Sequence, residues 1–121
     1  MRKNIVREVM AKEMPDLRCP VKELSMRQKY QLIYTRILLQ RPDVVFCIHP
    51  YLNVDLELRQ YIQSLMKLLL ERGIAVVIVM VNFQDALILA DRLLLVKDGC
   101  SCGVLTRQEI EHLVEKDDAI W

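Results

Sequence analysis

Two short apolar runs, Val44 to Ile48 and Ile74 to Val81, flank one strongly patterned helical stretch, and this arrangement limits what the chain can fold into. Between them, Leu58, Ile62, Leu65 and Leu69 recur at 4-3-4 spacing, after a capping Asp55 and before a terminating Gly73. The runs are rich in β-branched residues and show no polar alternation, so each reads as a strand covered on both faces. A strand, a crossover of this length and a second strand make a right-handed β-α-β unit with parallel strands. Open sheets built this way place ligands at the carboxyl ends of their strands. Here Arg41-Pro42-Asp43 launches the first strand, and Pro50 breaks it into a polar loop that reaches Asp55. The last strand positions, where chemistry would want carboxylates, carry Ile48 and His49.

The remaining elements fall around that unit. Ile5 to Met14 is a short amphipathic helix stopped by Pro15. Ser25-Met26-Arg27-Gln28 is a capping box opening a helix to Leu39 or Gln40, with Tyr30, Ile33, Tyr34 and Ile37 as its apolar face. After the second strand, Asn82 caps a short helix with Asp85 in its first turn and a stripe of Phe83, Ala86, Leu87 and Ala90. Leu93 to Val96 is a third strand, Asp98-Gly99 a hairpin turn into Cys100 to Leu105, and Thr106-Arg107-Gln108-Glu109 a second capping box. The expectation is an α/β fold with three mainly parallel strands, a terminal β-hairpin and flanking helices. No internal repeat, low-complexity tract or linker interrupts it.

A chain of 121 residues supports one modest core, and a hydrophobic share of 53% with three glycines implies substantial burial or a partner surface. Its net charge of +1, with 17 basic and 16 acidic residues interspersed, gives no electrostatic case for nucleic acid. No apolar run approaches the roughly 20 residues that cross a bilayer, and the charged first residues lack a secretory core. Membrane insertion is not expected. The four cysteines form no C-x-x-C pair and read as reduced, structurally buried thiols. Cys100 and Cys102 share a strand face, but two thiolates alone are an incomplete metal site.

Laid end to end from Val21 to Leu105, these features resemble the second half of the nucleotide-binding domain of ABC transporters. Leu24-Ser25-Met26-Arg27-Gln28 sits where that family has its Leu-Ser-Gly-Gly-Gln signature, and Thr35-Arg36-Ile37-Leu38 where Ala-Arg-Ala-Leu is usual. Arg41 to Pro50 matches the Walker B strand, and Leu52-Asn53-Val54-Asp55 the Ser-Gly-Leu-Asp loop. Ala86 to Gly99 resembles the region after the switch histidine. The resemblance implies one partial P-loop-NTPase-like domain over residues 1–121, with 1–40 in the helical subdomain and 41–121 in the α/β core.

The same resemblance identifies what has changed. In the family ATP lies between two such domains, gripped by one P-loop and one signature loop. The sequence contains no G-x-x-x-x-G-K-[ST]. The family's Mg²⁺-holding aspartate corresponds to Ile48, its water-polarising glutamate to His49 and its switch histidine to Val81. Met26 and Arg27 replace the signature glycines, where bare backbone should approach phosphate. Ser25, Arg27 and Gln28 could still serve a partner's ATP in trans, and Asp55 could communicate across a dimer, although Ser25, Gln28 and Asp55 each read more readily as helix caps. No cofactor is expected for the isolated chain, and Mg-ATP only with a partner's P-loop. The partners implied are a second ABC ATPase domain or a homodimer, and a transmembrane permease, which places the chain in the cytoplasm at the inner face of the membrane.

The expected function is that of a degenerate ATP-binding subunit of an ABC transporter, closest to the carbohydrate importers, whose ATPase subunits carry two unequal copies. Two other readings stay open. One is a free-standing dimerising or regulatory module. The other is an enzyme using His49 or a cysteine.

Overall fold

The computed structural model describes residues 18–115 apart from 83, 85, 86 and 88. The expected first helix, Ile5 to Met14, lies outside the described residues. The chain divides into two compact units, Met1–Met80 and Val81–Trp121.

The first unit opens with a 3-10 turn, Val21–Glu23, and then α1, Met26–Gln40. The capping box forms as expected: Gln28 N–H donates to Ser25 Oγ at 3.1 Å, and Ser25 N–H donates to Gln28 Oε1 at 2.9 Å. Arg41, left-handed at φ 50°, ends the helix and returns its N–H to Ile37 O at 3.1 Å. The buried face differs from the expected stripe. It consists of Gln31, Tyr34, Thr35 and Leu38, while Ile33 is 51% exposed. Thr35 can sit inside because its hydroxyl donates to Gln31 O at 2.7 Å within the helix, so burying it leaves no orphaned donor.

Strand β1, Val44–Ile48, then leads through a loop to α2, Leu56–Glu71, and on to β2, Ala75–Val79. The two strands pair in parallel, Val44 opposite Ala75 through Ile48 opposite Val79. Helix α2 supplies the largest share of the core: Ile62, Leu65, Met66 and Leu69 are buried, and the helix packs on α1 and β2. Gly73, at φ 80°, lets the chain leave α2, with Ile74 N–H on Leu69 O at 3.1 Å. The strands are not covered on both faces. Val45, Cys47, Val76 and Ile78 are half-buried, whereas Val44, Phe46, Ile48, Val77 and Val79 are exposed. An unalternating apolar run reports that both faces can be dry, and the structure supplies a layer on one.

In the second unit, where a short helix was expected, Asn82 Oδ1 accepts from Gln84 N–H at 3.1 Å. Phe83, Asp85 and Ala86 lie outside the described residues. Strand β3, Arg92–Lys97, pairs antiparallel with β4, Cys100–Thr106. Asp98 and Gly99, at φ 52° and 76°, give the two positive central angles of a type I′ turn. The β3–β4 pair is a sheet of its own, so the described parallel sheet has two strands where three were expected. The two-residue turn makes β3 and β4 antiparallel neighbours, as the expected terminal hairpin requires.

Helix α3, Arg107–Glu115, follows directly and buries Ile110. Its capping box is altered: Glu109 N–H donates to Thr106 Oγ1 at 3.4 Å, but the Glu109 carboxylate accepts from the Thr106 hydroxyl at 3.1 Å. Arg107 donates to the carbonyls of Leu87 and Ala90 and pairs with Glu111, which ties the segment before β3 to α3. Among the described residues no helix is long and apolar enough to cross a membrane.

Candidate functional site

In a parallel unit the chemistry belongs at the strand ends, and there the chain bends sharply. His49, the first residue past β1, is left-handed at φ 47° while its N–H still donates to Val79 O at 2.8 Å. This conformation is uncommon for a residue with a side chain, and it ends the strand's alternation at Ile48. Leu52 N–H closes the turn on His49 O at 3.2 Å. Tyr51 anchors the loop: it is buried, its hydroxyl lies 3.7 Å from Met66 Sδ, and the Arg59 guanidinium lies 5.7 Å from its ring centroid. Asp55 then starts α2, its Oδ1 accepting from Leu58 N–H at 2.7 Å. Caps at Asp55 and Ser25 are therefore present as bonds.

Ile48 and His49 border an open groove of about 270 Å³ between α1 and β1. Its helical wall is Tyr30, Ile33, Tyr34 and Ile37, the stripe that the sequence suggested would be core. Inside it, burial pushes the Tyr34 phenol up, and the neighbouring Cys47 thiol adds to this. Burial also pushes the Cys47 thiol up, against the opposing effect of its hydrogen bond with Tyr34. At Tyr34 every cause acts in the same direction and at Cys47 desolvation prevails, so both stay protonated and neutral near pH 7.

The residues singled out from the sequence are thus only partly gathered. Ile48 and His49 adjoin each other and β2; Val81 lies two residues beyond β2 and is 79% exposed. Ser25, Arg27 and Gln28 do not line the groove. Arg27 instead holds its guanidinium 4.2 Å from the Tyr61 ring centroid, a cation–π contact between α1 and α2. Nothing in the local pattern around Arg27 signalled that contact. The Tyr34–Cys47 pairing was also missed, because a tyrosine on the apolar stripe and a strand cysteine both read as packing.

The donor set does not suit hydrated Mg²⁺. Ile48 offers no oxygen, and among the described residues no group of three or more His, Cys, Asp or Glu side chains could hold a metal. At the start of α1, the Ser25 and Gln28 N–H groups are already bonded within the capping box. His112 is exposed on α3 and His49 at the strand end, so the two histidines lie in different units.

No family model matches the chain. Curated relatives do. An import ATP-binding protein of Geobacillus kaustophilus, named for ribose, galactose and methyl galactoside, is 29% identical over 102 residues, 84% of this chain and 20% of its own length. A ribose import ATP-binding protein of Rhizobium etli is 27% identical over 103 residues, 85% of this chain and 20% of its own. A spermidine/putrescine import ATP-binding protein of Spiroplasma citri is 33% identical over 91 residues, 74% of this chain and 26% of its own. The chain spans about one fifth of the length of the sugar-import relatives. By sequence, the chain is homologous to part of the ATP-binding proteins of ABC importers, of the carbohydrate-importer type.

Proposed function

We propose that the chain acts in an ABC import system as a non-hydrolysing counterpart of an ATP-binding subunit, working through contacts with a partner ATPase or with the permease. The observation that carries this reading is Ile48-His49 at the end of β1, where the family pattern has the aspartate and glutamate that serve Mg²⁺ and water. An exposed Val81 in the place of the switch histidine supports it. Neither Ile48 nor His49 offers a carboxylate to hold a metal-bound phosphate or polarise a water, so any ATP in the assembly is gripped and cleaved elsewhere. The apolar outer face of the β1–β2 sheet favours a role built on contact. Ser25, Arg27 and Gln28 are the residues that would meet a partner's nucleotide, with Arg27 leaving Tyr61 to do so. Asp55 would lie at the contact with the second domain. The solute is a sugar by kinship with most of the relatives, and the location is the cytoplasmic face of the membrane beside the permease.

A calorimetric titration of the chain with Mg-ATP, followed by a phosphate-release assay, tests the reading. No heat of binding at millimolar nucleotide and no phosphate release are expected. Saturable binding with steady release of phosphate would overturn it.

A further inference from the structure

Strand β4 carries two thiols where its ladder slips. Leu95 pairs with Gly103 but Val96 pairs with Ser101, which leaves Cys102 as the extra residue of a bulge, one step from Ser101 and two from Cys100. In an even strand, residues two apart are separated by about 6.7 Å of rise. That is near the upper end of the roughly 4.4–6.8 Å between Cα atoms that a disulfide bridges. A bulge bends the strand at this point. Cys102 Sγ lies 3.8 Å from the carbonyl oxygen of Cys100, so the sulfur leans back toward its neighbour. Both residues are exposed, contrary to the burial expected from the sequence. The other two thiols are poorly placed to compete: Cys47 is half-buried with its thiol pushed up by desolvation, and Cys19 is half-buried with its Sγ 3.8 Å from the Glu23 carboxylate.

We propose that Cys100 and Cys102 form a dithiol site that a small-molecule disulfide, of the oxidised-glutathione class, closes into an intrachain disulfide. One cysteine thiolate attacks a sulfur of the small disulfide, which forms a mixed disulfide and expels one small thiolate. The second cysteine thiolate attacks the protein sulfur of that mixed disulfide and expels the other. Two protein S–H bonds are lost and one S–S bond is gained, while the small disulfide takes up two electrons and two protons as two thiols. The ring so closed fixes the bulge and with it the register of β3 on β4. The proposal rests on the hairpin alone and stands apart from the nucleotide reading.

The test equilibrates the full chain in mixtures of oxidised and reduced glutathione, quenches with acid, and maps the products by intact and peptide mass. The expected product is a Cys100–Cys102 disulfide with an effective concentration of about 1 mM or more. Cys100→Ser should stop at a stable mixed disulfide on Cys102, while Cys19→Ser and Cys47→Ser behave as the parent. Mixed disulfides persisting on both cysteines of the parent, an effective concentration below about 1 mM, or oxidation mapped to Cys19 or Cys47 would each overturn the proposal.

Discussion

The starts of α1 and α2 and the end of β1 all fall where the ABC pattern places nucleotide chemistry, yet they have fared differently. Ser25, Gln28 and Asp55 agree with the family pattern, and each makes a bond that the fold needs, satisfying N–H groups that a helix cannot pair internally. Ile48 and His49 depart from it, and their side chains are exposed at the groove without a backbone duty of this kind. At Ser25, Gln28 and Asp55 agreement with the pattern coincides with structural work, and at Ile48 and His49 departure coincides with the lack of a cap bond of this kind. Agreement at Ser25 or Asp55 is for that reason weak testimony to nucleotide contact.

Stability measurements test whether the caps and the strand end differ in this way. Asp55→Ala should cost about 1 kcal/mol in chemical denaturation, and Ser25→Ala somewhat less because Ser25 is a neutral acceptor. A loss near zero at both would mean that the caps are not what holds those residues. Ile48→Thr, which keeps the branched side chain, should change the unfolding free energy by no more than about 0.5 kcal/mol. A larger loss would show that the outer sheet face is covered in solution and that Ile48 does have a structural duty.

Much of the fold was legible because it is written in local chemistry. The β1 limits, the α2 stripe around Ile62 and Leu69, both caps and the Asp98-Gly99 turn follow from propensity and capping within a few residues. What escaped depends on a second layer. The run Val44 to Ile48 cannot say whether anything lies over Phe46, and the burial of Gln31 and Thr35 in place of Ile33 depends on which side α2 approaches. Parallel pairing of β3 was inferred from the β-α-β rhythm, and the described pairing of β3 is with β4. At the site, Ile48 and His49 at the strand end, where the resemblance expects carboxylates, were visible at once, whereas the left-handed bend at His49 and the Arg27–Tyr61 contact had no local signature.

The neutral Tyr34–Cys47 pair also sets an alkaline limit on the first unit. Both groups hold their protons more tightly folded than unfolded, chiefly through burial. The unfolded chain therefore releases protons first as pH rises, and each proton released favours unfolding. The contribution of the pair is intact below the ordinary values of 9.0 for the thiol and 10.0 for the phenol. It is lost progressively above them. Denaturation midpoints should fall as the solution passes from neutral to strongly alkaline, and Tyr34→Phe should flatten the upper part of that slope. A parallel slope in the variant would show that the phenol is not the group being titrated. A short apolar strand thus carries a proton-linked weakness that its hydrophobicity alone does not reveal.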